Sequence, residues 1–202
     1  MKYSFIVILA IVLLSSCRKD DTDSPLTPML SSDFPSTIGS QWVYKRTDST
    51  TNVVDTFTVK IVGQTTMPNG QIAKLWEYTY ATRVDTNYYV IVGDTLKQYN
   101  YFLSNLNYPN NTIIFPFIVG SFYRFNLSFD SVIERKDIIV NNILFLGSFH
   151  TLKRTYGLEY EANQEFWYEK RVGLIKQYAR NVSYDYGTIS SKTIELLYTN
   201  IR

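Results

Sequence analysis

The chain has 202 residues, 45% of them hydrophobic and 16% aromatic, with one Cys, one His and a formal net charge of +2. That is long enough for a sizeable core, too apolar for a disordered chain, and too poor in Cys and His for a disulfide framework, a Cys/His zinc cluster or an iron–sulfur site. Lys+Arg 20 against Asp+Glu 18 sets up no field that would attract nucleic acid.

At the N-terminus Lys2 precedes an unbroken apolar run of 10 residues, Phe5 to Leu14. A bilayer-spanning helix needs roughly 20 apolar residues, so this run reads as the apolar region of a signal peptide. Leu14-Ser15-Ser16-Cys17 follows. It resembles the bacterial lipobox, in which small residues let a peptidase reach the backbone and a Cys carries a thioether-linked glyceride. Residues 1–16 are therefore predicted to be a lipoprotein signal peptide. Cys17, the chain's single cysteine, is the predicted lipidation site, with the membrane as its partner. An anchor bearing several acyl chains satisfies the rule that stable attachment takes more than one. Cleavage would leave 186 residues with 19 basic and 18 acidic side chains.

Residues 17–33 read as the lipidated Cys and a flexible tether, because 18–33 are polar, carry two prolines and show no period. Fully extended they reach at most ~55 Å. Lys19-Asp20-Asp21 is similar to the surface-export signal of Bacteroidetes-type lipoproteins, which implies an outer-membrane, surface-facing location.

The folded part is predicted to start at Phe34 and to run to residue 202 as one β domain. Phe34-Pro35-Ser36-Thr37-Ile38-Gly39-Ser40-Gln41-Trp42-Val43-Tyr44 has a counterpart 81 residues later, Phe115-Pro116-Phe117-Ile118-Val119-Gly120-Ser121-Phe122-Tyr123-Arg124-Phe125. Pro biases the Phe before it toward extended backbone, Gly-Ser supplies a turn, and a strand follows with Trp42 and Tyr44, or Tyr123 and Phe125, on one face. Trp42 is read as a core anchor in preference to a ligand platform. Tyr88–Tyr99 likewise parallels Trp167–Tyr178 at an offset of 79. Two matches in the same order divide the domain into related half-units, 34–114 and 115–202.

The next strands follow from alternation. Thr56–Val62 puts Phe57, Val59 and Ile61 inward, and Thr58 and Lys60 outward. Beyond the Pro68-Asn69-Gly70 turn, Ile72–Tyr80 lines up Trp76, Tyr78 and Tyr80. Tyr88–Val92 and Leu96–Phe102 flank Gly93-Asp94. In the second half-unit come Ser121–Leu127, Ser131–Val140, Ile143–Leu152 after the Asn141-Asn142 turn, Glu165–Lys170, Leu174–Asn181 and Lys192–Tyr198. No segment keeps a 3.6-residue period over three turns. The expectation is an all-β fold, an antiparallel sandwich, barrel or half-barrel of about ten strands built from the two half-units.

Candidate chemistry is sparse. His150 has no second His to work with and reads as structural. Glu159, Glu161, Glu165 and Glu169, set among Tyr156, Tyr160 and Tyr168, are the material a glycoside-type hydrolase would use if two of them flanked a cleft. Carboxylates on alternate strand positions also arise on any solvent face. Tyr184 and Tyr186, in Ser183-Tyr184-Asp185-Tyr186-Gly187, are candidate ligand-binding residues, since tyrosine suits recognition loops. Asp48-Ser49-Thr50, Asp94-Thr95-Leu96 and Asp130-Ser131-Val132 resemble short bacterial O-glycosylation sites. Nucleotide-binding and EF-hand patterns are absent, and no metal or cofactor is implied.

The Phe-Pro-x-x-x-Gly-Ser-x-Trp-x-Tyr opening, together with Arg171-Val172-Gly173-Leu174-Ile175-Lys176, resembles Bacteroidetes-type outer-membrane lipoproteins. The late motif is also similar to half-barrel envelope proteins that hold lipid or protein ligands. The first expectation for function is a lipid-anchored, non-catalytic envelope β-module that binds a protein partner or glycan or acts as an accessory of an envelope complex. The first alternative is a carrier of a hydrophobic ligand, favoured by an open cavity; the second is the hydrolase.

Overall fold

Along Gln41–Asp48, Trp42 and Tyr44 are buried while their neighbours are partly exposed, the two-residue period of a strand with one face on a core. In the computed structural model, which describes residues 27–100, 109–125, 127–158, 160–184 and 187–202, the chain forms twelve strands. The first six are β1 (Gln41–Asp48), β2 (Val53–Thr66), β3 (Ile72–Thr79), β4 (Val84–Val92), β5 (Thr95–Tyr99) and β6 (Asn111–Ile114). The second six are β7 (Phe122–Phe125), β8 (Ser128–Val140), β9 (Ile143–Tyr156), β10 (Tyr160–Glu169), β11 (Gly173–Ser183) and β12 (Thr188–Asn200). Among the described residues the one helical element is a 3-10 turn at Ser31–Asp33.

All strands join one antiparallel sheet in the order β6-β5-β4-β3-β2-β1-β12-β11-β10-β9-β8-β7. The sheet curls until it nearly closes into a barrel. Of the expected sandwich, barrel and half-barrel this is the half-barrel, with twelve strands in place of about ten. First and last strands pair in the middle of the sheet, whereas the seam lies between β6 and β7, which are consecutive in the chain.

Each half contributes six strands, and their opening turns share a hydrogen-bond pattern. Gly39 N–H donates to Ile61, Ile61 N–H to Ser40, and Ser40 N–H to Thr37; Gly120, Val132 and Ser121 make the same set with Val132, Ser121 and Ile118. Both glycines have positive φ, +93° and +86°, where a side chain is disfavoured. The Asn141-Asn142 hairpin also takes left-handed backbone at both residues, as a two-residue turn between twisted strands requires.

Strand directions give the barrel two different ends. The start of β1, the β2–β3, β4–β5, β8–β9 and β10–β11 turns, and the β6–β7 crossing share one end, here the floor. The β1–β2, β3–β4, β9–β10 and β11–β12 turns share the other, the mouth. The floor is plugged. Phe34, Phe115 and Phe117 join the core there, and Met29, 0% exposed, pairs with Phe117 through backbone bonds in both directions. Residues 27–33, expected to belong to the flexible tether, thus start the packed unit. Their polar, proline-containing composition hides one fully buried methionine. Asp33 extends the docking, its carbonyl accepting from Arg171 N–H at 2.8 Å.

Candidate ligand-binding cavity

The described residues do not fill the concave face of the sheet. It surrounds a cavity of about 1090 Å³, just beyond the usual upper size of small-molecule sites. Its polarity changes from floor to mouth, because successive inward positions on each strand change character. On β10 the sequence from floor to mouth is Tyr168, Phe166, Gln164, Ala162 and Tyr160; on β4 it is Tyr89, Asn87 and Asp85. On β5 Leu96 gives way to Gln98, and on β9 Lys153 and Thr155 face inward nearer the mouth.

Aromatic rings make the floor. Trp42 and Trp76 stack with centroids 4.9 Å apart and planes 9° apart, Trp76 meets Tyr89 at 4.7 Å, and Tyr44 stacks on Phe57 at 5.4 Å. Phe34 and Phe117 extend the set, Phe34 lying 5.9 Å from Trp76 and Phe117 5.2 Å from Tyr168. The polar atoms of these rings are tied to backbone far along the chain. Trp42 Nε1 donates to the Val172 carbonyl at 2.7 Å, and Tyr44 Oη to the Leu174 carbonyl at 2.9 Å. Trp42, 1% exposed, is therefore the core anchor expected of it, and its stacked pair also borders the cavity.

Burial fixes the protonation of the phenols that line the cavity. Desolvation raises the phenols of Tyr44, Tyr89 and Tyr168 far above the ordinary range and pushes Tyr78 up to about 12. These hydroxyls stay neutral; Tyr78 and Tyr89 hydrogen-bond to each other at 2.7 Å. At the seam, desolvation raises the carboxyl of Asp130 and lowers the ammonium of Lys153, its register partner, while each charge partly offsets the other's shift. Lys153 Nζ donates to Asn111 Oδ1 at 2.7 Å. Thr112 Oγ1 and Asp130 Oδ1 are buried with no hydrogen-bond partner among the described residues.

The glutamates of the hydrolase alternative take the opposite face. Tyr160, Gln164, Phe166 and Tyr168 of β10 line the cavity, so Glu161, Glu165 and Glu169 point outward at the alternate positions. Glu161 accepts from Asn163 and Tyr184, Glu165 contacts His150, and Glu169 accepts from Ser148. Glu159 lies outside the described residues. His150 stacks on Trp167 at 4.5 Å and 7°, with one ring nitrogen 3.1 Å from Glu134 and the other 3.0 Å from Glu165, a cross-strand cluster on three adjacent strands. That matches its structural reading.

Tyr184, 61% exposed beyond the end of β11, donates its hydroxyl to Glu161 at 3.1 Å and so lies against the outer wall. Tyr186 and Cys17, with the whole signal region, lie outside the described residues. The residues that sequence reasoning missed are the inward amides Asn87, Gln98, Gln164 and Gln177. The available signal was a polar residue on the same alternation phase as aromatics, as in Gln164 two before Phe166.

Among solved structures the chain is similar to a "putative lipoprotein" from Parabacteroides distasonis, at 14% identity and a TM-score of 0.41, over 85% of this chain and 99% of that one. It is also similar to a "putative exported protein with YmcC-like fold" from Bacteroides fragilis, at 11% identity and a TM-score of 0.41, over 86% of this chain and 99% of that one. No protein-family model and no curated protein matches it.

Proposed function

We propose that the chain is a non-catalytic, lipid-anchored module of the outer membrane that holds an amphipathic ligand inside its half-barrel. The cavity of about 1090 Å³, aromatic at the floor and amide-lined toward the mouth, carries this reading. The floor offers apolar ring faces and phenols that stay neutral, a setting for the apolar part of a ligand. The walls offer Asn87, Gln98, Gln164 and Gln177, each with both donors and acceptors, and the partly buried cation of Lys153 for its polar part. The outward position of Glu161, Glu165 and Glu169 supports binding over hydrolysis. A second reading, a glycan end as the ligand, draws on the same amides and rings, which suit sugar hydroxyls and sugar faces.

The test uses the chain from residue 18 onward, without apolar leader or acyl groups, titrated with dansyl-undecanoic acid and separately with maltoheptaose. The expected result is saturable dansyl enhancement at one probe per chain, abolished by Ala162→Trp, which places a large ring in the cavity. Saturation by maltoheptaose alone selects the glycan reading. Saturation by neither overturns the proposal.

A further inference from the structure

The plugged end of the barrel carries an apolar surface that none of the described residues covers. The β8–β9 hairpin bends across the floor: Val140 and Phe145 pack into the core, Ile138 lies against it, and Asn141 Nδ2 donates to the Leu196 carbonyl of β12 at 2.9 Å. The other side of the hairpin is turned outward. Ile139 and Leu144, opposite each other in the ladder, are 67% and 56% exposed, and Leu146 is 63% exposed. Ile118 and Val119, in the crossing segment at the same end, are also exposed. Aliphatic side chains clustered at one end of a domain mark a contact surface.

The chain's own path says what covers it. Thr27, the first described residue, has its carbonyl 3.4 Å from Arg135 Nη1, and Arg135 Nε donates to the carbonyl of Gly147, next to Leu146. The chain leaves the fold beside the exposed hairpin. From Thr27 to Cys17 are ten residues, a reach of at most ~35 Å. An acyl anchor on Cys17 therefore holds the floor, and not the mouth, near the bilayer. Exposed charges at this end are mixed, Lys136, Arg171 and Arg202 against Asp94 and Asp137, so the aliphatic side chains supply the contact.

We infer that the outer face of the β8–β9 hairpin, centred on Ile139, Leu144 and Leu146, docks on the lipid surface that anchors the chain, with the cavity mouth facing away. The inference rests on lipidation of Cys17 and not on what the cavity holds.

The experiment uses the acylated full-length product, whose Cys17 is blocked by its thioether. A thiol-reactive fluorophore is placed through Leu144→Cys, or through Leu158→Cys near the mouth, both exposed positions. The protein is reconstituted in phosphatidylethanolamine–phosphatidylglycerol vesicles containing a lipid spin-labelled near its headgroup. Interfacial side chains sit within the headgroup boundary, so quenching at position 144 is expected to exceed that at 158 by about threefold or more. Equal quenching at the two positions, stronger quenching at 158, or none at 144, as when a protein partner covers the hairpin, overturns the docking while leaving the anchor in place. A chain that acquires no acyl group and stays in the aqueous fraction overturns anchor and docking together. Ligand titration of the chain from residue 18 is independent of both results.

Discussion

Lys153 of β9 donates to Asn111 of β6 at 2.7 Å, and the bond joins two strands that share no backbone ladder. It spans the seam where the sheet stops short of closing. Asp130, opposite Lys153 in the β8–β9 register, supplies the nearby negative charge. Replacing Lys153 with Met removes the seam bond and leaves the partly buried Asp130 without its cation. A loss of about 1–3 kcal/mol is expected in urea unfolding. Adding Asp130→Leu to that variant should recover part of the loss; a double variant as unstable as the sum of the two single ones would refute the coupling.

Alkali should reach the phenols of the cavity late. Tyr78 titrates at about 12 in the folded chain against 10.0 ordinarily, so between those values the folded state holds the proton that the unfolded state releases. Its contribution is fully present below pH 10 and is lost as pH rises toward 12, about 2–3 kcal/mol in all. Tyr44, Tyr89 and Tyr168 shift in the same direction. Phenolate absorbance followed against pH should show a group of tyrosines ionising together with loss of far-ultraviolet β signal. Smooth, reversible titration of every tyrosine near pH 10 in a folded chain would contradict this.

The Trp42 anchor separates packing from hydrogen bonding. Trp42→Ala opens a hole beneath Trp76 and should cost about 3–5 kcal/mol. Trp42→Phe keeps a ring against Trp76 but leaves the Val172 carbonyl without its 2.7 Å donor, for about 1–3 kcal/mol. Chemical denaturation of the two variants should rank them in that order.

Gly120 tests backbone conformation with little steric contribution. A Cβ there meets nothing within 4 Å, so Gly120→Ala reports only its φ of +86°. About 1–2 kcal/mol is expected from thermal unfolding. At Gly39 a Cβ would come within 3.1 Å of the Arg202 side chain, which is exposed and can swing away, so Gly39→Ala should cost a similar amount.

Much of the sheet was legible in the alternation of residues. Phe57, Val59 and Ile61 are buried and Lys60 is exposed, as their order implies, and the turns at Gly70, Gly93 and Asn141-Asn142 fall where small or left-handed residues permit them. Strands β2, β8, β9 and β12 run further than expected because polar residues such as Gln64, Lys153 and Ser190 carry on the ladder, and backbone pairing does not require apolar side chains. Strand β6 was missed, four residues between an Asn-rich stretch and Phe115-Pro116. The cavity was not legible, for a physical reason. Alternation says which residues share a face, but whether that face meets a second layer or curls around empty space depends on curvature accumulated over twelve strands. Glu161, Glu165 and Glu169 stand four residues apart and so share one face of an extended strand, yet only the curl decides that this face is the outside.

The pairing of β1 with β12 imposes an order on biogenesis. Strands β1 to β6 are neighbours in the sheet in chain order, and each can pair with its predecessor as the chain emerges. The two rings at the heart of the floor cannot finish so early: Trp42 and Tyr44 both find their acceptors 130 residues later, on Val172 and Leu174. Contacts between such distant positions form slowly, since loop closure precedes their reward. A chain passing through a membrane N-terminus first would thus expose an unsealed aromatic half-sheet until its last strands arrive. Truncation before the β10–β11 hairpin would leave that half-sheet as a substrate for chaperones and proteases.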